Sequence, residues 1–134
     1  ALPICKMKYT NSTRKKKWYH GMQIQQQLFR GPKWVYEYRV RKLTKSIKEK
    51  LFLEWDGKDY YDNEYISNNF RLGANHPDYP TIDHVIPITT GFEQNISIKF
   101  MASRQNLVIT KNKLNQQKGN MNLVDFLLSM NGTK

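Results

Sequence analysis

The sequence predicts an α+β fold, and three observations carry that expectation. Thr81–Ile88 is a run rich in β-branched residues, and Leu107–Thr110 is a second. Lys111–Lys118, directly after it, has helical composition and stops at Gly119. Leu43, Ile47, Leu51 and Trp55 recur every four residues, the repeat of an amphipathic helix.

From the N-terminus, residues 6–18 are polar, basic and without period, and read as a flexible arm. Residues 20–30 read as a short helix with Met22, Leu28 and Phe29 available for packing, ended by Gly31-Pro32. Trp34, Tyr36, Tyr38 and Val40 then alternate with Val35, Glu37, Arg39 and Arg41, which is the period of a strand. Such an aromatic face serves either the core or base stacking. The helix of Leu43 to Trp55 follows, closed by Asp56-Gly57. Residues 59–66 read as a tight hairpin turning at Asp62-Asn63, and 67–80, rich in Asn, Gly and Pro, as a loop. Residues 91–105 offer a small apolar turn at Ile96, Ile98, Phe100 and Met101. Residues 122–130 read as a covering helix with Leu123, Phe126, Leu127 and Met130 as its stripe. The organisation expected is a basic arm and helical segment over 1–57, then a second module over 58–134.

Charge sharpens the division. The 134-residue chain carries a formal net charge of +11. Residues 1–50 hold 14 Lys/Arg against two acidic residues, whereas residues 51–134 hold 8 against 9. A basic segment joined to a near-neutral module suits a polyphosphate partner, and an anionic membrane surface is the other partner that charge admits. No apolar run approaches the roughly 20 residues of a membrane span. Cys5 is the one cysteine, so neither an internal disulfide framework nor a cysteine-based zinc site can form. The expected setting is intracellular and cytoplasmic, with a reduced thiol.

The chemistry-bearing residues lie in the predicted strand–loop–strand–helix. DHVIP at 83–87 is followed by Asn106-Leu107, and then by Asn115-Gln-Gln-Lys118-Gly119. Singly, Asp83 reads as a turn acid, His84 as a surface histidine and Asn115 as an exposed helix residue. In this order, with nine residues from Asn106 to Asn115, they resemble the motif of the HNH endonucleases, the ββα-metal family. The resemblance covers roughly residues 59–120.

It implies a ββα-metal nuclease module behind a basic, mainly helical N-terminal segment. The implied activity is hydrolysis of DNA phosphodiester bonds, leaving 5′-phosphate and 3′-hydroxyl ends. That reaction needs an activated water, a Lewis acid on the phosphoryl oxygen and stabilisation of the departing 3′ oxygen. A near-neutral imidazole suits the base, which assigns His84 to it. Asp83 and the amide oxygen of Asn115 suit one hard cation, Mg²⁺ or Mn²⁺. By resemblance, Asn106 hydrogen-bonds the backbone of the His84 strand and fixes the ring. Neighbours on a strand face opposite ways, so Asp83 and His84 need a local bend to share a site. Lys118, three residues after Asn115, is expected to contact phosphate, and Lys15, Lys16, Lys17, Arg39 and Arg41 to bind double-stranded DNA without reading its sequence. His20 and His76 have no required place in the motif.

Many HNH nucleases also clamp this motif with structural zinc held by two C-x-x-C pairs. The pairs fall here at Asp59-Tyr60-Tyr61-Asp62 and Lys111–Leu114, without cysteine. The expected replacement is packing of Tyr60, Tyr61 and Leu114 with an Asp–Lys111 pair, and no structural zinc. A nucleic-acid-binding module that keeps the fold without catalysis is the alternative function, and a regulatory domain binding an acidic protein is a third. Neither has a use for the full Asp83-His84-Asn106-Asn115 set. A lone site of this kind nicks one strand, so cutting both would require a dimer.

Overall fold

The computed structural model describes residues 12–132, and side chains over 31–131. The order of elements is α1 (Ser12–Leu53), a 3-10 turn (Ser67–Leu72), β1 (Pro80–His84), α2 (Ile88–Glu93), α3 (Ile98–Met101), β2 (Leu107–Lys111), α4 (Asn112–Lys118) and α5 (Leu123–Gly132). Helices and a two-stranded antiparallel sheet make the fold α+β. Contacts divide the chain into two compact units, residues 1–35 and 36–134. Residues 36–57, grouped by sequence with the basic segment, therefore belong with the strands.

In the first unit, residues 12–18 of the expected flexible arm are helical backbone within α1. The rest of that arm lies outside the described residues, as do the side chains of Lys15, Lys16 and Lys17. The expected break at Gly31-Pro32 is present: Gly31 is non-helical (φ 87°, ψ 176°). Only a residue without Cβ takes that φ readily, and Pro32 begins the next helical stretch with its ring-fixed φ.

In the second unit, the strand expected over 34–41 is corrected to helix. Tyr36, Val40, Thr44, Ile47 and Leu51 recur at three- and four-residue steps and form the covered face, with Val40 fully buried. Tyr36 and Val40, four residues apart, fit a period of two as well as a helical turn, so aromatic β propensity misleads until packing decides. The apolar stripe is accordingly rotated from that expected. Thr44 is buried, whereas Leu43 is 38% exposed. Glu37 and Arg41 pair one turn apart at 3.7 Å.

The Tyr36 ring packs edge-on against Phe92 of α2, and its hydroxyl donates to the Ile96 carbonyl at 2.7 Å. Between them, Gly91 is buried so tightly that a Cβ would lie 2.7 Å from both the Tyr36 Oη and the Met101 Sδ. Met101 and Ala102 are buried, as the expected apolar turn requires. The 67–80 segment carries the 3-10 turn, whose Phe70 meets Phe52, Trp55 and Tyr79 edge to face.

β1 and β2 pair with Asp83 opposite Val108 and His84 opposite Leu107. The hairpin expected at 59–66 is a tight turn with a Lys58–Tyr65 bridge and Asn63 at φ 61°. Asp59, with no exposure, holds it to β2. One carboxylate oxygen accepts from the Thr110 hydroxyl and the Lys111 N–H, both at 2.8 Å, and the other from the N–H groups of Tyr61 and Asp62. Lys111, 1% exposed, directs its ammonium at Asp62 and at Glu64, the latter at 2.6 Å. Burial acts to lower its pKa, but the two carboxylates outweigh that and raise it. Asp59, Asp62 and Lys111 are thus joined by hydrogen bonds and charge, and Leu114 is buried core. Tyr61 packs edge-on against Phe126 of α5 at 5.0 Å, while Tyr60 is half exposed. Of the stripe expected on α5, Phe126 is the buried member and Leu127 is 40% exposed.

Asp59→Ala strands four donors and is expected to cost about 3 kcal/mol or more in urea-unfolding stability. Lys111→Met leaves Asp62 and Glu64 near water and is expected to cost clearly less. Elemental analysis of purified protein is expected to find no stoichiometric zinc.

Candidate active site

β1 ends at His84 and the chain bends at Val85 and Ile86, so Asp83 and His84 both line one cleft of about 300 Å³. Arg41 and Glu37 from α1 and Asn115 from α4 line it too. Asn106 is 1% exposed and stands behind the bend rather than in the cleft. Its side-chain oxygen accepts from the Ile86 N–H at 2.8 Å, its amide nitrogen donates to the Met101 carbonyl at 3.0 Å, and its backbone carbonyl accepts from Val85 N–H at 2.9 Å. One asparagine therefore fixes the two residues that follow His84.

Asp83 is 5% exposed. Its Oδ2 accepts a short hydrogen bond from the Tyr61 hydroxyl and lies 3.4 Å from the Lys118 ammonium. Burial pushes the Asp83 pKa above the usual carboxylate value, against the pull of Tyr61 and Lys118. Burial also raises the Tyr61 pKa, and the bond to Asp83 adds to it. The raised Tyr61 pKa keeps the proton on the phenol, whereas burial works against the Asp83 charge and Tyr61 and Lys118 work for it.

Lys118 differs from its expected role. Its ammonium is fully buried and donates to the His84 carbonyl at 2.9 Å besides facing Asp83. The expected phosphate contact thus gives way to an internal one, which ties α4 to β1. Asn115, one turn earlier on α4, is half-buried, and its side-chain amide has no hydrogen-bond partner among the described residues.

The His84 Nε2 lies 3.0 Å from the Thr44 hydroxyl oxygen, and that hydroxyl is 2.8 Å from the Val40 carbonyl. The hydroxyl has one proton, and a carbonyl can only accept it. With that proton on Val40, the hydroxyl meets Nε2 as an acceptor, the arrangement in which Nε2 donates and Nδ1 carries the lone pair. Burial, reinforced by Arg41 and Lys118, lowers the His84 pKa from 6.5 to about 4, so the ring is neutral at neutral pH. His76, by contrast, is taken up in its loop, where Nδ1 accepts from the Asp78 N–H at 3.1 Å.

Among the described residues no three His, Cys, Asp or Glu side chains gather as a metal site. The oxygen donors at the cleft are the Asp83 carboxylate and the unpartnered Asn115 amide, hard ligands of the kind Mg²⁺ and Mn²⁺ prefer. Arg41 reaches the cleft wall, whereas Arg39 is simply exposed. Thr44 and the direct Tyr61–Asp83 bond were not foreseen from sequence. A threonine four residues after Val40, on the covered face of a helix, is the one signal for the first. No family model, curated protein or solved structure matches this chain.

The histidine sets a pH dependence. Unfolded, His84 binds a proton near its ordinary 6.5; folded, only near 4. Its contribution to stability is complete above about 6.5 and is lost as pH falls toward 4, because the unfolded chain binds the proton first. Urea midpoints measured from pH 7.5 to 4.5 are expected to fall less steeply for His84→Gln than for wild type.

Proposed function

We propose that this chain is a metal-dependent endonuclease of the HNH type that hydrolyses phosphodiester bonds in DNA. The observation that carries the reading is the convergence of Asp83, His84 and Asn115 on one cleft, with Asn106 pinning the bend between the strands. The order β1, long connection, β2, α4 agrees with a ββα-metal module.

In this reading Asp83 and Asn115 hold one Mg²⁺ or Mn²⁺, which when bound supplies Lewis-acid stabilisation of the phosphoryl group and the leaving 3′ oxygen. The neutral His84 accepts a proton from the attacking water at Nδ1, since Nε2 is engaged by Thr44. Lys118 balances the buried Asp83 charge and holds the His84 carbonyl, while Tyr61 orients the carboxylate. Arg41 stands at the cleft wall, where a scissile phosphate would meet it. Arg39 and the lysines at 15–17 add contacts to the DNA backbone that make affinity fall with salt.

The test is nicking of supercoiled plasmid with Mg²⁺ or Mn²⁺. Wild type is expected to cut, and His84→Ala to lose about 10²- to 10⁴-fold in rate while still binding DNA. Asp83→Ala and Asn115→Ala are expected to raise the metal concentration needed for half-maximal rate. Wild type that binds DNA and never cuts it with either metal overturns the proposal in favour of a binding module. In the binding assay, Arg41→Ala is expected to lower the slope of log affinity against log salt by about 1.

A further inference from the structure

The strand–strand–helix region alone does not hold the His84 ring; a residue 40 positions earlier reaches it. Thr44, 8% exposed on the covered face of α1, is bonded on both sides: to Val40 O at 2.8 Å and to His84 Nε2 at 3.0 Å. A threonine that donates to the carbonyl one turn back has its side chain fixed by its own helix. Its lone pairs then point in a set direction, and a ring nitrogen that meets them must carry a hydrogen. We propose that Thr44 is the positioning residue for His84, selecting the Nε2–H tautomer and leaving Nδ1 bare. This rests on the endonuclease reading for its effect on rate, but not for its effect on the ring.

The geometry gives the selection a physical basis. The Nδ1–H tautomer would set two acceptors against each other at 3.0 Å, unless the threonine gave up its bond to Val40. The His84 backbone is held independently, through its carbonyl by Lys118 and through the following bend by Asn106. Loss of the hydroxyl therefore frees the ring while the strand stays in place. Valine has the shape of threonine without the hydroxyl, and serine keeps the hydroxyl without the methyl, so the pair separates bonding from packing.

The experiment uses the full chain, ¹⁵N-labelled, at neutral pH without metal, and long-range ¹H–¹⁵N correlation of the histidine rings. Wild type and Thr44→Ser are expected to show His84 protonated at Nε2 alone, and Thr44→Val a mixture of tautomers. In the Mg²⁺-dependent nicking assay, Thr44→Val is expected to lose about 10- to 100-fold in kcat with KM within about twofold, and Thr44→Ser to recover most of it. Thermal unfolding of both variants confirms that the fold is kept. A Thr44→Val ring that keeps the wild-type tautomer overturns the proposal, as does a Thr44→Ser variant as slow as Thr44→Val. If wild type never nicks but the ring responds to Thr44→Val, the endonuclease reading falls and the control of the ring stands. If wild type nicks and Thr44→Val nicks equally fast, the positioning role falls and the endonuclease reading stands.

Discussion

An ammonium group with no exposure to water has to find its partners inside the protein, and Lys118 finds them on a single strand. Its bonds to the His84 carbonyl and toward the Asp83 carboxylate bring α4 against the end of β1. Asn115 sits on the same face of that helix, one turn earlier, so the lysine also decides where the amide stands. Removing only one member of such a buried pair leaves the other charge stranded, which is far costlier than replacing both. The cleft is therefore held together by the buried Lys118–Asp83 charges at its edge.

The turn at 59–64 applies the same principle to a different end. The cation is the Lys111 ammonium, and its partners are the Asp62 and Glu64 carboxylates on the turn. Asp59 takes no part in the ion pair but collects four hydrogen bonds, three of them from backbone N–H groups. The turn also places Tyr61 where its hydroxyl reaches Asp83, so it has a hand in the site.

Local signals explain what was legible in the sequence. β1, β2 and α4 followed from β-branched runs and from a helical stretch closed by Gly119, and the turn from Asp62-Asn63. The Asp–Lys111 pair was an expectation of the resemblance alone, and Lys111 does pair with Asp62. The strand expected over 34–41 failed because Tyr36 and Val40, four residues apart, satisfy both a strand repeat and a helical turn; the Tyr36 contacts with Phe92 and Ile96 belong to the helix. Thr44 and Tyr61 were not legible as site residues, since they meet His84 and Asp83 across 40 and 22 positions of chain. Lys118 was placed near the motif correctly by its spacing, but spacing carries no information on whether a lysine faces solvent.

Gly91 lies outside the cleft, yet it sets how near α2 and α3 come to the helix that carries Arg41 and Thr44. The space at its Cα is already filled by a phenol and a thioether. An added methyl group would act as a wedge there, and its displacement would be passed along a helix to a hydroxyl that must meet a ring nitrogen within a few tenths of an ångström. Position 91 thus couples the packing of three helices to the alignment of a distant hydrogen bond.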